Sequence, residues 1–151
     1  MTANVLHSKG FFVGEPITKA LEEINMIAFS IGGIMAIAIA IFSRVTRFDR
    51  DRSFFATLLI VIATYYVLFA FISFEAIVTE IMIASGFSLV ALAGALRWPI
   101  LLGLGIFAHG IFDLTHMHFI TNTGVPEWWP IFCASFDIVL GGWAIYLVKF
   151  R

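Results

Sequence analysis

Charge is scarce in this chain, and cysteine is almost missing. Of 151 residues, 13% are charged, where an ordinary soluble domain carries about 25%. The single cysteine, Cys133, excludes an internal disulfide and a thiolate metal cluster within one chain. Net charge is −1, so no basic surface points to nucleic acid as a partner. The opening stretch, MTANVLHSKGFFVGEPITKALEEIN, lacks the basic start, apolar core and small-residue cleavage site of a signal peptide, and a cleaved leader is not expected. There is no clear internal repeat and no low-complexity segment.

Apolar residues fill the space that charge leaves. They make up 61% of the chain, against about 45–50% in soluble domains, and they fall in runs of about 20 residues, the length that crosses a bilayer core of about 30 Å. The expected fold is all-α: one domain over 1–151, a polytopic membrane bundle with spans near 24–43, 53–72, 76–96, 99–119 and 129–148. The segment EPITKALEEIN, with Pro16 suited to a first turn, predicts a short amphipathic helix at the interface before the first span. Residues 53–96 would make one helix of about 66 Å, twice the core thickness, so a turn is required. It is placed near Ser73–Glu75, although FISFEAIVTE contains no Gly or Pro.

The basic residues set the expected orientation. Arg44, Arg47, Arg50, Arg52, Arg97, Lys149 and Arg151 fall on one side of a five-span chain, and Lys9 and Lys19 on the other. The positive-inside rule then puts the N-terminus outside and the C-terminus in the cytoplasm, in an inner or plasma membrane. Trp128 and Trp129 mark the outer boundary and Trp98 the inner one. Gly32, Gly33, Gly141 and Gly142 read as close-packing positions between helices.

Against this apolar background a few ionisable residues stand at span depth, where they are costly and mark functional sites. They are Glu75 and Glu80 on span three, His109, Asp113, His116 and His118 on span four, and Asp137 on span five. No lysine or arginine lies at that depth to pair with them. Buried carboxylates without a protein cation must be protonated, wet or bound to an exogenous cation.

At about 100° per residue, His109, Asp113 and His116 share one helix face, within about 60° of one another. His118 points away, toward the outer end. Counted at 1.5 Å per residue, His109 is level with Asp137, and Glu80 with Asp113 and His116. Mixed imidazole and carboxylate donors suit Zn²⁺, Fe²⁺ or Mn²⁺ better than Ca²⁺ or Cu⁺, and Zn²⁺ or Fe²⁺ is expected. The predicted metal set is His109, Asp113, His116, Asp137 and Glu80. A single ion with an open position for water is the catalytic pattern, with Asp113 or Asp137 managing the proton. A hydrogen-bond network without metal, or a proton pathway, would use the same residues. Tyr65 and Tyr66 read first as packing residues, with hydrogen bonding toward the site as the alternative, Cys133 as a small hydrophobe on the face of Asp137, and Asn122 and Glu127 as residues that could cap the site from outside.

The segment AHGIFDLTH, a Pro- and Trp-containing loop and then PIFCASFD resemble small bacterial integral membrane proteins of unknown function with a Gly/Ala-His-x-x-x-Asp-x-x-His helix. The resemblance covers about residues 75–148 and implies a shared site at His109, Asp113, His116, Cys133 and Asp137, with Glu75 or Glu80. A looser similarity is to intramembrane metal-dependent enzymes: the ceramidase and progestin-receptor-like hydrolases, which use zinc, and the bacterial carotene dioxygenases, which use iron. This chain is shorter than those and has fewer spans.

The expected function is a metal-dependent membrane enzyme acting on a membrane lipid or other lipophilic small molecule, by hydrolysis or oxidation. A proton or metal-ion transporter is the alternative, and a non-catalytic accessory subunit the third reading. Homo-oligomerisation or membership of a larger membrane complex is compatible with the sequence.

Overall fold

The computed structural model describes residues 14–150, with side chains from 17 onward. Lys9 and Arg151, which entered the charge count, lie outside the described residues. The order is α1 (Gly14–Thr46), a single 3-10 turn (Phe48–Arg50), α2 (Arg52–Ser73), α3 (Ile77–Leu96), α4 (Ile100–Phe119) and α5 (Trp129–Phe150), with no strand among the described residues. Five helices are long and apolar enough to cross a membrane.

The short interfacial helix expected before the first span is not a separate element. Residues 15–25 are helical but run without a break into α1, which has 33 residues and a length of about 50 Å. Nothing between Glu22 and Met26 breaks a helix, since no Gly or Pro intervenes. Polar residues there mark a helix that outruns the hydrocarbon core, not one that stops at its edge.

The turn between α2 and α3 falls at residues 74–76. With neither Gly nor Pro available, the chain reverses through two left-handed residues, Phe74 (φ 59°) and Ala76 (φ 52°). Such conformations cost on the order of 1–3 kcal/mol each and persist only where neighbours over-determine them. Here Glu75 accepts the Thr123 backbone N–H at 2.9 Å, and Ser73 donates to Asn122 Oδ1 at 3.1 Å. The turn is strapped to the α4–α5 loop.

The helix α5 packs along both α4 and α1, α2 lies along α3, and α4 also meets α2 and α3. Lipid tails are as apolar as leucine, so such helices associate through close packing and interhelical hydrogen bonds. Small residues let the backbones approach. A Cβ on Gly141 would lie 2.5 Å from the Phe107 nitrogen, and one on Gly103 would lie 2.6 Å from the Ile145 nitrogen. A Cβ on Gly32 would meet Ser135 Oγ and the Phe132 carbonyl. Gly33 and Gly142, expected to share this role, face open space. Of each adjacent pair only one glycine can point at the neighbouring helix.

The bundle is divided along its length. The half nearest the arginines holds the apolar core, with Phe55, Leu59, Leu102, Ile106, Leu140 and Leu147 in one buried cluster. The half toward the 120–128 loop holds the buried polar residues Glu80, His109, Asp113, His116, Asn122 and Asp137. Outward-facing residues such as Ile34, Leu89 and Phe119 are large and exposed, as a lipid-facing surface requires.

Candidate metal centre

The polar residues come from three helices and one loop. From α4, His109, Asp113 and His116 all point inward and are at most 1% exposed, whereas His118 is exposed. The spacing that predicted a shared face for the three and another for His118 is the spacing that produces this burial. From α5 comes Asp137 and from α3 comes Glu80, each likewise buried.

The five residues form two groups. In the deeper one, His109 Nδ1 lies 2.8 Å from Asp137 Oδ2 and 3.4 Å from Asp113 Oδ2. One donor atom from each residue lies within 4.8 Å of the others, so the three could hold a metal ion. Donors about 2.0–2.2 Å from a common ion are themselves about 3.0–3.5 Å apart; His109 Nδ1 stands near that spacing from each aspartate. Without an ion, Nδ1–H donates to Asp137.

In the second group His116 Nε2 lies 2.7 Å from Glu80 Oε1, which also accepts from Asn122 Nδ2 at 3.0 Å. His116 and Glu80 therefore pair with each other and stand outside the convergent triad.

Tyr66 joins the groups. Its hydroxyl donates to Asp113 Oδ1 at 2.8 Å, and its ring stacks on His116 with centroids 4.1 Å apart. Its backbone carbonyl accepts from Asn122 Nδ2 at 3.2 Å. Tyr66, read from the sequence as packing, is thus a polar partner of the site. Its neighbour Tyr65 does pack, against Trp129 at 5.0 Å.

Asn122, expected at most as an outer cap, is 1% exposed and ties the loop to α2 and α3. Glu75 is spent on the Thr123 backbone, whose N–H holds its carboxyl below the usual carboxylate range. Glu127 is exposed and takes no part. Cys133 is a buried free thiol outside the donor triad.

Several buried polar atoms lack a hydrogen-bond partner: Asp113 Oδ2, which lies 3.4 Å from His109 Nδ1, and Asp137 Oδ1, Glu80 Oε2 and His116 Nδ1. Such orphans cost on the order of 1–3 kcal/mol each and call for an explanation. Charge counting supplies one. No lysine or arginine occurs within 53–96 or 98–148. His116 and Glu80 share one short hydrogen bond and can balance each other as a pair. Two ionised aspartates beside a neutral His109 would carry two negative charges, which one divalent cation would cancel.

Gly110 sets the α4–α5 distance at this level. A Cβ there would lie 2.9 Å from Asp137 Cβ and 3.1 Å from the Ala134 carbonyl. The close approach it permits brings His109 and Asp137 into contact. Comparison with known protein families, with curated proteins and with solved structures finds no match to this chain.

Proposed function

We propose that this chain is a metal-dependent integral membrane enzyme acting on a lipophilic substrate, with a divalent ion, Zn²⁺ or Fe²⁺, held by His109, Asp113 and Asp137. The observation that carries this reading is the convergence of three donor atoms within 4.8 Å at a fully buried position. The unpartnered Asp113 Oδ2 and Asp137 Oδ1 support it.

The ion would supply Lewis acidity. Tyr66 occupies Asp113 Oδ1 and turns Oδ2 toward the donor cluster. Asp137 Oδ2, which accepts from His109 Nδ1–H without an ion, would turn to the ion once that proton is lost, and Oδ1 stays free to take a proton. His116, Glu80 and Asn122 lie on the loop side as a hydrogen-bonded support. With the arginine end cytoplasmic, the centre sits in the outer half of the bilayer, where a lipid or isoprenoid reaches it most directly.

A proton or ion conduit is the second reading, favoured by the bonded series Ser73, Asn122, Glu80 and His116 leading inward from the loop end. Against it stands the apolar core beneath the site, where Leu59, Leu102, Ile106 and Leu140 leave no polar continuation among the described residues of that cluster.

The test incubates purified, metal-loaded protein with a total bacterial lipid extract and follows the lipids by mass spectrometry. Conversion that a chelator and Asp137→Asn both abolish is expected. An unchanged lipid profile with loaded wild type contradicts the enzyme reading. Ion flux in proteoliposomes that Asp137→Asn abolishes would establish the conduit in its place.

A further inference from the structure

At the arginine end, the starts of α2 and α4 and the end of α5 diverge around a cavity of about 260 Å³. Its floor is apolar, formed by buried Phe55, Leu102 and Leu147. Exposed Arg50, Asp51 and Arg52 form its mouth, and buried Asp49 and half-buried Pro99 complete this part of the lining. Trp98, next to Pro99, is 58% exposed, as an aromatic at a membrane–water boundary is.

The four charges at the mouth are not equivalent. Asp49 pairs with Arg44 Nη1 at 3.0 Å. Asp51 caps α2, accepting from the Ser53 hydroxyl at 2.5 Å and the Ser53 N–H at 2.9 Å, and these bonds hold its carboxyl below the usual range. The Arg50 and Arg52 side chains are exposed and make no ion pair or hydrogen bond among the described residues. Arg44 offsets Asp49, and Asp51 stays ionised but turned to Ser53, so the two guanidinium groups leave the mouth with a net charge of +1 beside an apolar floor.

Guanidinium groups match phosphate oxygens in geometry and charge, and basic pockets between membrane helices suit anionic headgroups. We infer that this cavity binds an anionic membrane phospholipid. Arg50 and Arg52 hold its phosphate, and the start of an acyl chain lies over Phe55, Leu102 and Leu147. Free phosphate shares the charge but has no use for that floor. The site is independent of the metal centre, which lies in the opposite half of the bundle.

Full-length protein in detergent, titrated with short-chain phosphatidylglycerol, short-chain phosphatidylcholine and inorganic phosphate and followed by native mass spectrometry, tests this. Phosphatidylglycerol should bind at least about ten-fold tighter than phosphatidylcholine, since each surface guanidinium contributes about 1 kcal/mol toward an anionic lipid. The double variant Arg50→Gln/Arg52→Gln should lose that preference and Arg97→Gln should keep it. Val148→Trp, which fills the cavity from its rim, should weaken phosphatidylglycerol binding without touching the arginines. Equal affinity for the two lipids overturns the inference, as does a preference that survives both the double variant and Val148→Trp. Inorganic phosphate binding as tightly as phosphatidylglycerol overturns the lipid assignment.

Discussion

The Tyr66 hydroxyl donates a 2.8 Å hydrogen bond to Asp113 Oδ1 across 47 residues of sequence, and both residues are buried. One carboxylate oxygen is thereby fixed and the other left facing His109. Tyr66→Phe removes the donor and keeps the ring on His116. Membrane interhelical bonds average about 0.6 kcal/mol and reach about 1.7, and a charged acceptor belongs at the upper end. Tyr66→Phe should therefore lower stability by about 1–2 kcal/mol in thermal unfolding. Loss of a partner that orients a ligand should weaken metal affinity about 10–100-fold, measured by competition with a chromophoric chelator.

Gly110→Ala should act on the centre through backbone spacing. Its Cβ would sit 2.9 Å from Asp137 Cβ, pushing α5 from α4 at the level where His109 meets Asp137. Overpacking of this kind costs about 1–3 kcal/mol, and metal stoichiometry should fall with it. Gly142→Ala is the matched control. Its Cβ meets nothing within 4 Å, and it should leave stability unchanged or raise it by up to about 1 kcal/mol through helix propensity. Equal losses in the two variants would refute the spacing role.

His116→Ala should separate the two groups. It deprives Glu80 of its imidazole partner, and breaking a buried pair by removing one member costs about 3–5 kcal/mol. Metal should stay bound in whatever fraction remains folded, because the donor triad is His109, Asp113 and Asp137. Stoichiometric metal loss from folded His116→Ala would move His116 into the ligand set.

The strap over the α2–α3 turn should respond to acid. The Thr123 N–H holds the Glu75 carboxyl below its ordinary value. A depressed folded-state pKa gives stability that is fully present above the unfolded value, about 4.3 for glutamate. That stability is lost as pH falls through the lower folded value. Hydrogen exchange at the Thr123 amide, corrected for its intrinsic rate, should be protected near neutrality and lose protection only in acid below the ordinary glutamate value. Glu75→Gln should weaken the protection and remove its acid dependence.

Much of this arrangement is legible in the sequence, because helical geometry is periodic. Spacing alone puts His109, Asp113 and His116 on one face and His118 elsewhere. Counting along the spans matches His109 with Asp137 and Glu80 with Asp113 and His116, and of these His109–Asp137 and Glu80–His116 are in contact. What spacing does not encode is where around α4 each neighbour stands. Depth and face leave five residues in one set, whereas α5 approaches His109 and α3 approaches His116, so the set divides in two. Tyr66 is hidden for a related reason: a tyrosine amid apolar neighbours gives no sign of where its hydroxyl points. The continuation of α1 through residues 15–25 is concealed by polarity, since Glu22, Glu23 and Asn25 resemble an interface while remaining compatible with a helix.

Metal content tests the centre most directly. Protein purified without chelators should carry close to one equivalent of zinc or iron by elemental analysis. Asp137→Ala should lose it, and His116→Ala should keep it. Less than about a tenth of an equivalent in folded wild type, unchanged after incubation with either metal, would contradict a metal centre at His109, Asp113 and Asp137.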